Sequence, residues 1–165
     1  MTRGMTSFIK SFGKDQNGAA LVEFGLVIPI LFLFLAVVID GGRMAWIYQT
    51  ASYGVRDAAR MVARVAPSDL CSGGNVAVYD AMVTEIVTNS ISDMSVIPNA
   101  ARVIDVTPTL DRCVTGGYRN GTAAIVQVSA EIEIDYIWGG VFGLFGSALG
   151  PLTTEVRDQS RVYGL

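Results

Sequence analysis

Histidine is absent from the 165 residues, and lysine and cysteine occur twice each. Without histidine the commonest general base and the commonest metal ligand are missing. Most familiar enzyme classes are therefore not expected. Charge is also scarce. Asp, Glu, Lys and Arg make up 16% of the chain, against about 25% in an ordinary soluble domain. Hydrophobic residues reach 51% and the mean hydropathy is +0.44. That balance rules out wholesale disorder and points to a membrane segment. The net charge is −3, and there is no basic cluster, so no nucleic-acid partner is expected.

Both lysines, Lys10 and Lys14, precede residue 18. With Arg3 and Asp15 they make that segment net positive, while the remainder is net negative. Such a change of sign across one boundary marks two compartments. The cysteines, Cys71 and Cys113, are too few for a zinc site without histidine. In an oxidising compartment they would pair, and closing that loop is worth about 4 kcal/mol in the chain-entropy model. Otherwise they are two unrelated buried thiols. The compartment decides.

Ala19 to Ile39 reads AALVEFGLVIPILFLFLAVVI, with Glu23 as its one charge. At 1.5 Å per residue it extends about 31 Å, the thickness of a hydrocarbon core. Arg3, Lys10 and Lys14 precede it, and Asp40 and Arg43 follow it. The positive-inside rule puts the N-terminus in the cytoplasm and residues 40–165 outside. The run is too long for the apolar region of a removable secretory signal, and no small-x-small site follows it. Pro29 lacks an N–H and is expected to kink or locally open the helix, although proline is tolerated in membrane helices. Glu23 is either an interfacial carboxylate or one with a cationic partner in an assembled state.

Residues 18–24 are Gly-Ala-Ala-Leu-Val-Glu-Phe, behind a short basic leader. This pattern resembles type IV pilin-like precursors. More closely it resembles the TadE/TadF-like minor pilins, or pseudopilins, of tight-adherence pili. Leu-Val-Ile-Pro-Ile at 26–30 and Val55-Arg56-Asp57-Ala58-Ala59-Arg60 extend the likeness, which covers roughly residues 13–64. The resemblance implies cleavage between Gly18 and Ala19 by a membrane prepilin peptidase. It implies that Glu23 and Phe24 serve recognition and assembly, with Glu23 meeting the N-terminal amine of a neighbouring subunit. The implied partners are that peptidase, other major and minor pilins, the Tad assembly machinery of the inner membrane, and the lipid bilayer. The implied location is the bacterial inner membrane, with the C-terminal domain in the periplasm or, once assembled, outside the cell. No cofactor is implied. The residues agree with this scheme. Glycine lets extended backbone approach a protease closely, and after cleavage Glu23 stands at i+4 from the new amine of Ala19.

Beyond Ile39 the helical pattern continues. Met44, Ile47, Tyr48, Ala51, Val55, Ala58, Ala59, Val62 and Val65 keep i, i+3, i+4 spacing up to Pro67. Arg56, Arg60 and Arg64 form a second stripe, either solvated or facing a partner. A second helix is expected over Val76–Ile91, with a loop over Asn89–Asn99. Strands are expected over Arg102–Thr107 and, more weakly, Cys113–Arg119. The Asn120-Gly121 pair reads as a hairpin turn. From Val126 to Tyr136 apolar and polar residues alternate strictly, the pattern of a strand with one face on a core and one in water. The carboxylates Glu131, Glu133 and Asp135 on its polar face are most simply a wet surface. Leu152–Val162 is expected to add a last strand.

Tyr136–Gly150 is an uncharged, glycine-rich stretch, YIWGGVFGLFGSALG, too short to span a bilayer. Trp138, Phe142 and Phe145 make it a candidate contact patch, either a cover for the sheet or a surface that meets the bilayer or another subunit.

The expected fold is α+β, a long N-terminal helix packed on a small antiparallel sheet. The expected organisation is a leader at 1–18, a transmembrane helix at 19–39, its extension at 40–66 and an exported domain at 67–165. The expected function is that of a processed minor pilin in Tad pilus assembly. An unprocessed, membrane-anchored envelope scaffold is the alternative. A membrane-anchored enzyme finds no nucleophile motif or phosphate-binding loop to support it.

Overall fold

The computed structural model describes residues 17–94, 101–116, 122–143, 146–147 and 149–163. The basic leader, the Pro98 segment, Phe145 and the Arg119-Asn120-Gly121 turn lie outside these. The chain divides into two compact units, Met1–Ile39 and Asp40–Leu165. One helix, α1 (Asn17–Val65), contributes residues to both and runs through Pro29 without a break. In the first unit its side chains are overwhelmingly exposed. It holds the described helix long and apolar enough to cross a membrane, and only 6% of the most apolar window is buried.

The second unit is α+β. After α1 come 3₁₀ turns at Leu70–Ser72 and Ala77–Tyr79, then α2 (Asp80–Met94). Three strands follow, β1 (Ala101–Val114), β2 (Ala123–Ile134) and β3 (Leu152–Arg161), with a short helix α3 (Gly139–Phe142) between the last two. The sheet is antiparallel with order β1-β2-β3. The central strand shows the alternation its sequence announces. Val126, Val128, Ala130, Ile132 and Ile134 are buried, and the residues between them are half-buried or exposed. Tyr136 lies past the strand's end.

Three expectations are corrected. The strand expected at Arg102–Thr107 runs on through Cys113 to Val114, because β1 pairs with β2 along its whole length, while residues 117–119 of the second expected strand lie outside the described ones. Register shifts at Ile104 and Asp111 absorb one extra residue each. Pro108 interrupts nothing, since β1 is an edge strand and an edge tolerates a missing N–H. Helix α2 begins later and ends later than expected, so Asn89–Met94 is helix rather than loop. Tyr48 is exposed, and the buried stripe of α1 instead takes in Ala63, with Ala66 buried just past the helix end.

The core forms where α1, α2 and the inner face of the sheet meet. It holds Ile47, Ala51, Val55, Ala58, Ala59 and Val62 from α1, Val83, Val87 and Ile91 from α2, and the inward row of β2. Much of the α1 stripe is alanine, which lets neighbouring elements approach closely. Gly54 carries this furthest. A Cβ there would lie 2.9 Å from the Ser90 Cβ and 3.4 Å from the Val87 Cα. One rung crosses all three strands, Val106–Ala130–Val156, each buried.

The two ends of this unit are tied differently. At one, Cys71 and Cys113 form a disulfide, the Val162 amide donates to the Ala124 carbonyl, and the Tyr163 amide donates to the Ala63 carbonyl at 3.0 Å. At the other, Asp40 binds the chain just after β2. Helix α1 from Asp40 to Ala63 therefore runs beside β2 in the opposite sense. The lengths agree, about 36 Å of helix and about 40 Å of strand.

Candidate assembly segment and the Asp40 latch

In the first unit the functional candidates share one helical stretch. Gly18, Ala19, Glu23 and Phe24 all lie in α1 and are exposed. Helical geometry sets Ala19 and Glu23 four residues apart, hence on one face. A Cβ at Gly18 would meet nothing within 4 Å, so the position is sterically open. From Asn17 onward the described chain is helical, so the Gly18–Ala19 bond lies within helical backbone. Around Glu23 the surface is apolar, with Leu21, Val22, Leu26 and Val27 exposed.

In the second unit the polar feature of note is Asp40. It is 2% exposed. Its carboxylate accepts the Ile137 amide at 3.3 Å and the Trp138 amide at 3.1 Å. Those amides precede α3, so the carboxylate stands where a helix start presents unpaired donors. Arg43, one turn on, lies 3.6 Å from Asp40 and also donates to the Asp135 carbonyl. Burial of the pair is tolerable because both partners have further hydrogen bonds. Sequence reasoning placed Asp40 and Arg43 only as charges flanking the apolar run. Their i, i+3 spacing directly after that run was the available signal.

The candidate patch is divided. Trp138 is exposed, Phe142 is half-buried, and Phe145 lies outside the described residues. Ile137 and Leu149, in the chain segment linking β2 to β3, and Leu152, at the start of β3, are also exposed. On the polar face of the sheet, Glu133 pairs with Arg102 on the neighbouring strand, and Glu155 pairs with Arg157. Glu131 lines a surface hollow of about 390 Å³ with Asp105, Ser129, Thr153, Thr154 and Glu155. Among the described residues no His, Cys, Asp and Glu group is arranged to hold a metal ion. Of the α1 arginines, Arg56 pairs with Asp158 at 3.5 Å with both side chains well exposed, and Arg60 and Arg64 are exposed.

Residues 18–60 match the family of TadE-like proteins. The match begins at Gly18, runs through Glu23 and Asp40, and ends at Arg60, all within α1. The matched stretch includes the apolar part of α1, which is long and apolar enough to cross a membrane. The sheet lies outside the matched residues. No curated protein and no solved structure matches the chain.

Proposed function

We propose that this TadE-like chain is a minor pilin, or pseudopilin, of a Tad pilus. In this scheme a prepilin peptidase cuts between Gly18 and Ala19. The mature chain then joins other pilins at the Tad machinery of the inner membrane. Its N-terminus starts in the cytoplasm and residues 40–165 occupy the periplasm. The chain acts through assembly rather than through catalysis. The observation that carries this proposal is the placement of the Gly18–Phe24 motif at the head of an exposed apolar helix that matches the TadE-like family.

The chemistry of the motif supports it. Glycine at 18 lets the backbone open locally so that the Gly18–Ala19 bond can enter a protease as extended chain. Cleavage leaves an ammonium on Ala19, and Glu23 supplies a carboxylate one turn along. Within hydrocarbon, a carboxylate near a helix centre costs about 2.5–3.5 kcal/mol on insertion scales, a penalty offset if a neighbouring subunit's amine faces it. Pro29 removes one backbone hydrogen bond and makes the helix easier to bend during extraction from the bilayer.

The test is Glu23→Gln in the full chain, expressed in place of the wild type, with surface pili counted by electron microscopy. Loss of piliation with normal membrane levels of the variant is expected. Wild-type pilus numbers would contradict the assembly role of Glu23.

One observation favours the unprocessed anchored scaffold. The helix already includes Asn17 and Gly18, so an uncut chain would enter the membrane with that turn intact. The two readings separate on whether Gly18 survives in the mature protein.

A further inference from the structure

The link between β2 and β3 gathers uncharged, apolar residues at one end of the sheet. Ile137 is 47% exposed, Trp138 41%, Leu149 44% and Leu152 41%. They are held together. Ile134 pairs with Leu152 in the sheet. Gly139 lies against the Leu149 backbone so closely that a Cβ would come within 2.9 Å of the Leu149 carbonyl oxygen. Small size at 139 therefore closes the link on itself and keeps Trp138 and Leu149 at the same place.

That place is specified further by Asp40. Its carboxylate binds the Ile137 and Trp138 amides, and Asp40 directly follows Ile39, the last residue of the apolar run. A run of 21 residues with one charge, matching the hydrocarbon thickness, ends where the headgroups begin. The residue that starts the headgroup layer is thus the one that grips the apolar link. Trp beside aliphatic residues is the composition found at the boundary between acyl chains and headgroups. Helix α1 carries a second exposed tryptophan, Trp46, six residues after Asp40, about 9 Å further along.

We propose that the link around Ile137, Trp138, Leu149 and Leu152 is a second, interfacial membrane contact. It inserts shallowly into the bilayer leaflet at which residues 19–39 emerge, and Asp40 sets its height. The partner is the lipid surface. The contact belongs to the chain before its incorporation into any filament. It rests on the membrane-anchored reading of residues 19–39, but not on cleavage at Gly18. Of the candidate contact patch, it assigns Trp138 to lipid, and Phe142 is half-buried.

The test uses the full chain with Trp46→Phe, which leaves Trp138 as the sole tryptophan, and Trp46→Tyr as a second variant. Each is reconstituted in vesicles of phosphatidylethanolamine and phosphatidylglycerol, with and without phosphatidylcholine brominated near the glycerol end of its acyl chains. Flotation reports the span independently of the link. The expected result is flotation together with a roughly twofold loss of Trp138 emission in brominated vesicles, as for an interfacial indole. Flotation with unchanged emission would overturn the contact and leave the span standing. Shielding of Trp138 from iodide that grows with protein density, without quenching by brominated lipid, would assign the patch to a second copy and also overturn it. Failure to float would remove the span and the contact together.

Discussion

The Trp138 amide donates to the Asp40 carboxylate at 3.1 Å, across 98 positions of sequence. This bond joins the first residue of the globular unit to the chain that leaves its central strand. Arg43 completes the arrangement from α1 by pairing with Asp40 and donating to the Asp135 carbonyl. Asp40→Ala would leave Arg43 buried beside two amides without their acceptor. Removing one partner of a buried pair costs about 3–5 kcal/mol. Urea unfolding of the full chain in detergent micelles should show a loss of that order. Asp40→Asn, which keeps one acceptor oxygen, should lose less. An Asp40→Ala protein as stable as wild type would show that the latch contributes no stability.

The Cys71–Cys113 disulfide closes a separation of 42 residues. It joins the turn after α1 to the end of β1, far from the latch in the sheet's register. A loop of that size is worth about 4 kcal/mol in the chain-entropy model. Replacing both cysteines by serine should lower the unfolding free energy by about 2–4 kcal/mol. Reducing agent should shift the wild type to the same midpoint and leave the double variant unmoved. A reductant effect on the serine variant would disprove the assignment.

Gly54 faces Ser90 where α1 and α2 approach. In an open helix, Gly→Ala gains about 1 kcal/mol from propensity. Here the new Cβ would press on the Ser90 Cβ, and overpacking costs about 1–3 kcal/mol. Gly54→Ala is expected to be destabilising, and Gly54→Val more so. Ser90→Gly should recover part of the loss in a double-mutant cycle, because the two positions touch. A stabilised Gly54→Ala protein would mean that the helices part without penalty.

Much of this architecture can be read along the chain because it rests on local periodicity. Ala19–Ile39 is apolar on every face, α1 beyond it repeats at helical spacing, and Val126–Ile134 alternates at period two. The structure agrees at each. What escaped depends on partners distant in sequence. The bulges at Ile104 and Asp111 hide the continuity of β1 from any simple alternation count. Asp40 reads as a membrane-flanking charge until Ile137 and Trp138 are brought to it. The cysteines could pair only if the compartment allowed, and the fold brings them together. Gly18, Glu23 and Phe24 lie within seven residues of sequence, so the pattern they form can be seen without knowing the fold.

The central claim is that Gly18–Phe24 directs processing of a pilin precursor. Its most direct test is mass-spectrometric mapping of the protein's N-terminus from cell envelopes with and without an active prepilin peptidase. The account predicts a chain beginning at Ala19 that appears only when the peptidase is active. A chain still beginning at Met1 beside an active peptidase would contradict it.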